Sequence, residues 1–162
     1  MSTLIKLLSL FFIITSLVEA RNQREFISPN KMTRAIVYSF ADRGIILESR
    51  IRVLSRKGIV LFDTSFSSKD HEHGFCVVQA AWTANSKYFV FGMVSSGGHM
   101  PWQVFTFVFS IATKEFIEIN KVVSPVTSSF KLIPPDSLEA TTFTGNINNP
   151  KLLKVRLSDL VH

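Results

Sequence analysis

The chain has 162 residues, a formal net charge of +6 and 46% apolar residues, among them 15 Phe. That is enough apolar surface to bury one core and too much for a disordered polymer. A single cysteine, Cys76, excludes an intramolecular disulfide and leaves the fold to packing. Its setting, Gly74-Phe-Cys-Val-Val78, reads as a buried, inert thiol. The cations are interspersed with acids and bunch only at Arg43, Arg50, Arg52, Arg56 and Lys57, which reads as a solvated sheet edge and not as a nucleic-acid surface.

The first segment reads as an export signal. Lys6 gives a positive start, Leu7 to Val18 is an apolar run, and Val18-Glu19-Ala20 carries small residues at the two positions a signal peptidase reads. Residues 1–20 are expected to be a cleaved signal peptide, since the run is short of the ~20 apolar residues needed to cross a bilayer. No membrane span is expected after cleavage, and residues 21–162 form one domain. No Asn-x-Ser/Thr sequon is present, which fits a bacterial periplasmic or extracellular protein.

Beyond the signal, Phe, Val, Ile and Thr dominate and no stretch keeps apolar residues at helical spacing for three turns, so the reading is all-β. In the first unit, strands are predicted over 34–40, 48–54 and 59–62, the last two joined by the tight turn Arg56-Lys57-Gly58. In the second, 76–82 is followed by a turn at 83–86 and a strand at 87–94, whose Tyr88-Phe-Val-Phe91 run predicts burial on both faces. Residues 104–110 place Val104, Thr106 and Val108 on one face and Phe105, Phe107 and Phe109 on the other. A turn at 112–115 then leads to a strand at 116–119. The third unit is thinner, with strands at 128–133, 138–143 and 152–157 and a short closing tail.

Three strands run into one kind of turn: Phe26-Ile-Ser-Pro-Asn-Lys31, Ala81-Trp-Thr-Ala-Asn-Ser-Lys87 and Phe130-Lys-Leu-Ile-Pro-Pro-Asp-Ser137. Pro29, Ala84 and Pro135 stand 55 and 51 residues apart, the period of one sheet per repeat. The turns resemble those in the blades of β-propellers, especially the TolB-like (PD40, WD40-like) repeats of exported bacterial proteins. Asn30 and Asn85 replace that family's Asp, and Lys31 and Ser86 its Gly, while Pro134 to Ser137 matches more loosely. The resemblance implies about three antiparallel β-meander units and no particular function. Three are fewer than a closed propeller uses, so an open or incomplete propeller is expected. Its ends would leave apolar sheet faces for a protein partner or a second copy.

Two segments hold the residues with most chemistry. In Asp70-His-Glu-His73 the alternation would put His71 and His73 on one face of a strand, and with His99 these are the candidate ligands for a divalent metal. The competing reading is an exposed polar loop. In Gly97-Gly-His-Met-Pro-Trp102, Gly97 and Gly98 permit unusual backbone angles and Trp102 offers a stacking surface beside His99. No helix or Lys-Ser/Thr pair follows these glycines, which excludes a phosphate cradle. Ser95 and Ser96 lack the elbow and orienting acid of a nucleophile. The sequence therefore points to an exported, non-catalytic binding or interaction module without a cofactor. Its candidate contact residues are Asp70, His71, His73, Gly97, Gly98, His99 and Trp102. A metal-binding protein or metal-dependent enzyme using His71, His73 and His99 is the alternative.

Overall fold

The computed structural model describes residues 23–39, 45, 47–98, 103–123, 125–143 and 149–161. The segment read as a signal peptide lies outside these residues, as do His99 and Trp102.

Within the described residues, eleven strands form three antiparallel sheets. Sheet I holds β1 (Gln23–Ile27), β2 (Thr33–Tyr38), β3 (Arg50–Ser55) and β4 (Val60–Ser65) in that order. Sheet II holds β5 (Phe75–Trp82), β6 (Tyr88–Ser95), β7 (Phe105–Ser110) and β8 (Phe116–Glu118). Sheet III has only β9 (Lys131–Ile133), β10 (Ser137–Phe143) and β11 (Pro150–Arg156). Every sheet is a simple meander, and among the described residues no sheet closes on itself. The expected all-β units are thus present, with sheet III one strand short.

The strand expected over 116–119 is β8, which ends at Glu118, and Ile119 opens a short helix, α1 (Ile119–Val122). The sequence Ile-Asn-Lys-Val has no strong helical preference. What ends the strand is Asn120, whose side chain accepts from Thr106 N–H at 3.1 Å and donates to the Val104 carbonyl at 3.0 Å. These bonds tie the chain to β7 and put Ile119 into a core.

The sheets stack because the middle one is apolar on both faces. From β6, Phe89, Phe91 and Met93 join Ala35, Val37, Ile51 and Val53 of sheet I in one core. Tyr88 and Val90 turn the other way, to Phe130, Leu138, Ala140 and Leu157 in a second core. β7 divides likewise, with Phe107 and Phe109 in the first core and Val108 in the second. This is the two-sided burial that Tyr88-Phe-Val-Phe91 predicts. Aromatic contacts weld the first core: Phe91 and Phe107 stack at 5.3 Å, and Phe62 of sheet I meets Phe109 at 4.8 Å. Cys76 is fully buried.

The repeated turn is a ring of local hydrogen bonds. Ser28 and Thr83 accept, through their hydroxyls, the N–H of the first residue of the next strand, Thr33 and Tyr88, both at 3.1 Å. The same hydroxyls lie 2.8 Å from Asn30 Oδ1 and Asn85 Oδ1. Those oxygens in turn accept from Met32 N–H at 3.0 Å and Lys87 N–H at 3.1 Å. Lys31 and Ser86, standing where the resembled family has Gly, are left-handed at φ 58 and 62. A glycine there would relieve the strain.

Each turn also leans on the next. Asn30 N–H donates to Ser86 Oγ at 3.0 Å, Asn85 N–H to the Pro135 carbonyl at 3.3 Å, and Asn85 Nδ2 to Asp136 Oδ2 at 3.2 Å. Asp136 therefore takes the Asn position in the loosely matching third turn. Its carbonyl accepts from Leu157 N–H at 2.9 Å, so the 3-10 turn Leu157–Asp159 covers the end of the stack. Two further bonds bind the sheets: Trp82 Nε1 donates to the Phe26 carbonyl at 2.7 Å, and Gln79 pairs with both the N–H and C=O of Phe130.

The outer strands of the stack carry ion pairs beside exposed apolar residues such as Ile27 and Leu152. On sheet I, Asp63 accepts bidentately from Arg50 at 2.8 Å and also meets Arg52 at 2.9 Å, and Glu25 pairs with Arg34 at 2.9 Å. The Arg50 hydrogen bonds, offset by partial burial and aided by Arg52, hold the Asp63 carboxyl below its ordinary range. On sheet III, Lys154 pairs with Glu139 at 3.3 Å. The alternation that buries Val37 and Ile51 sends Arg50 and Arg52 outward on sheet I.

Candidate binding surface at the loop end

The three repeated turns lie at one end of the strands, so the connections β2–β3, β4–β5 and β6–β7 emerge at the other. Asp70, His71 and His73 sit in the β4–β5 connection, and Gly97 and Gly98 in the β6–β7 connection. Residues 71–74 form a bend, with β5 beginning only at Phe75 and His71 at φ 59. His71 and His73 therefore do not share a strand face, and the exposed polar loop is the reading that matches. Ser-Ser-Lys before the segment and Gly74 after it interrupt the pleat too closely for a strand to run through it.

Glu48, which sequence reasoning passed over as part of a strand, brings the two loops together. It lies just before β3, which starts at Arg50, and only 3% of its side chain is exposed. Its Oε1 accepts from Ser68 Oγ at 2.8 Å, Ser96 Oγ at 2.9 Å and Gly74 N–H, and its Oε2 from Ser68 N–H at 2.8 Å. Burial alone would raise the pKa of this carboxyl, but the four hydrogen bonds outweigh it and hold the group down at about 2. Gly74 permits this close approach: a Cβ there would stand 2.5 Å from Glu48 Cδ and from the Phe66 carbonyl.

Neighbouring bonds extend the clasp. Ser96 N–H donates to the Gly74 carbonyl at 2.9 Å, tying the start of the glycine loop to the histidine loop. Ser49, fully buried, donates its N–H to Phe75, accepts from Phe66 N–H, and offers its Oγ to Val77 N–H. The loop of Asp70, His71 and His73 is thus joined, through Gly74 and Glu48, to Ser96, the residue before Gly97 and Gly98.

The histidines turn to different acids. His73 Nδ1 lies 2.6 Å from Asp70 Oδ2, and His71 Nδ1 3.5 Å from Glu48 Oε2. Ser68 Oγ, Glu72 N–H and His73 hold the Asp70 carboxyl well below the usual carboxylate range. Among the described residues no three His, Cys, Asp or Glu side chains come together as a metal-binding group. The described part of the surface thus offers the exposed imidazoles of His71 and His73, the Asp70 carboxylate and Lys69 on a pinned backbone, a set suited to polar recognition.

No family model matches this chain, and no curated protein matches it. Among solved structures, it is similar to a putative conserved lipoprotein from Clostridium novyi NT at 10% identity and a TM-score of 0.53, covering 82% of this chain and 85% of that one. It is also similar to a prolyl endopeptidase at 12% identity and a TM-score of 0.48, over 83% of this chain and 19% of that one. A putative TolB from Agrobacterium tumefaciens matches at 11% identity and a TM-score of 0.30, over 82% of this chain and 60% of that one. The lipoprotein likeness bears on the fold alone, and the other two, with TM-scores below 0.5, carry no argument.

Proposed function

We propose that this chain is an exported, non-catalytic interaction module that meets a protein partner with its loop end. The observation that carries this reading is the Glu48 clasp. Burying a carboxylate is costly unless it is fully hydrogen-bonded, and the partners of Glu48 include the two connections that hold the candidate contact residues. A rigid scaffold presenting fixed loops is a common way to build a binding site. The apolar run before Ala20 and the small residues around it support export.

The roles follow from chemistry. Asp70, His71 and His73 make polar contacts, Gly97 and Gly98 allow a partner backbone to approach, and Trp102 with His99 supplies a stacking surface. The experiment is capture from the native extracellular fraction with the unaltered chain, a loop-end variant (His73→Ala, His99→Ala, Trp102→Ala) and a turn-end control (Lys114→Ala). A partner that binds the first and third but not the second supports the reading. Equal capture by all three refutes it.

A further inference from the structure

We infer that the open edge of β11 accepts an extended acidic segment as the fourth strand of sheet III. Among the described residues, sheets I and II each carry four strands in the same meander order, whereas sheet III has three, and the position of a fourth lies beside β11. Among the described residues β11 pairs only with β10.

The register identifies the free backbone groups. Leu157 N–H donates to the Asp136 carbonyl, so Asp136 and Leu157 form a hydrogen-bonded pair. By alternation the pairs Leu138 with Val155, Ala140 with Leu153 and Thr142 with Lys151 are hydrogen-bonded too. The N–H and C=O groups of Leu152, Lys154 and Arg156 then face the position of the fourth strand. Leu152 is 74% exposed, an unusual amount for a leucine within a strand, and a neighbouring strand would cover it.

Charge selects the occupant. Three of the seven residues of β11 are cations, Lys151, Lys154 and Arg156. Among the described residues two have counterions, Lys154 with Glu139 of β10 at 3.3 Å and Arg156 with Asp136 of the β9–β10 turn at 3.5 Å, both at least 61% exposed at the cation. A second copy of β11 would bring three more cations to the same edge, the device by which exposed edges avoid self-pairing. An acidic strand meets no such penalty, since opposite charges across strands attract. Laid antiparallel, it would read acid, apolar, acid, apolar, apolar, acid opposite Arg156 through Lys151. Main-chain bonds supply affinity and the alternating side chains supply selectivity.

The test uses the full chain, labelled with nitrogen-15, and the capped peptide Glu-Val-Glu-Val-Val-Glu. Expected results are slowed hydrogen exchange at the Leu152, Lys154 and Arg156 amides on adding the peptide, and weaker binding of a scrambled peptide of the same composition. The double variant Lys151→Glu, Lys154→Glu should bind about ten-fold more weakly, two attractions having become repulsions. It should recover with Lys in place of the second and third Glu of the peptide, which face positions 154 and 151, the first Glu staying opposite Arg156. Absence of binding, equal binding of the scrambled peptide, or binding without protection at those three amides would overturn the inference. The exchange map is read on the unaltered chain, so misfolding of the variant would not obscure it.

Discussion

Replacing Glu48 by Gln is the most informative single change to the loop end. Oε1 can be replaced by the amide oxygen, which still accepts from Gly74 N–H, Ser68 Oγ and Ser96 Oγ. At the Oε2 position the new amide N–H₂ faces Ser68 N–H, a donor held at 2.8 Å in the native protein. One stranded backbone donor costs about 1–3 kcal/mol. Glu48→Ala strands both Ser68 N–H and Gly74 N–H, about 2–6 kcal/mol, whereas the two serine hydroxyls keep other acceptors, Asp70 Oδ1 and the Gly74 carbonyl. For a domain of this size about 1 kcal/mol moves Tm by about 2–4 °C.

The pH dependence has a definite sign. The folded pKa of Glu48, about 2, lies below its ordinary 4.5, so its contribution is present above pH 4.5 and is lost as pH falls from 4.5 towards 2. The Gln variant has no such titration. Thermal denaturation from pH 7 to 2.5 should therefore show Glu48→Gln less stable at neutral pH, with the gap closing below 4.5. A variant within about 0.5 kcal/mol of the native chain at pH 7, the spread of an ordinary surface substitution, and with the native pH slope, would refute the clasp.

Three further changes probe how the units are joined. Gly74→Ala should destabilise by about 1–3 kcal/mol, the usual range for overpacking, because its Cβ meets Glu48 and the Phe66 carbonyl; urea denaturation would register it. Gln79→Ala removes two bonds to the Phe130 backbone, and should cost about 1–3 kcal/mol while raising exchange at β9 and β10 more than in sheet I. Trp82→Phe keeps a ring in the first core but strands the Phe26 carbonyl, which accepts from Trp82 Nε1 at 2.7 Å. A loss of about 1–3 kcal/mol is expected, with β1 exchanging faster.

What was legible in the sequence is what is local. The turns could be read because their hydrogen bonds join residues two and five apart, from Ser28 to Asn30 and Thr33 and from Thr83 to Asn85 and Tyr88. The middle sheet could be read because an unbroken apolar run admits no solvated face. Glu48 could not be read, since its partners lie 20, 26 and 48 residues away; the glycine closing the polar loop before β5 was its one trace. The ion pairs on sheet I needed the register that puts Asp63 opposite Arg52. The strand predicted over 116–119 is β8, and it stops one residue early, at Glu118, where Asn120 bonds to β7 and α1 begins, a contact with no sequence signature.

The fold's central claim is that sheet II is covered on both sides while sheets I and III are each covered on one. Residue-resolved native hydrogen exchange tests this most directly. Amides of β6 and β7, flanked by both cores, should be the slowest and exchange only through global unfolding, while those of β1 and β11 exchange by local opening. If β6 exchanged as fast as β1, or if a strand of sheet I or III proved the slowest in the molecule, the three-sheet stack would be contradicted.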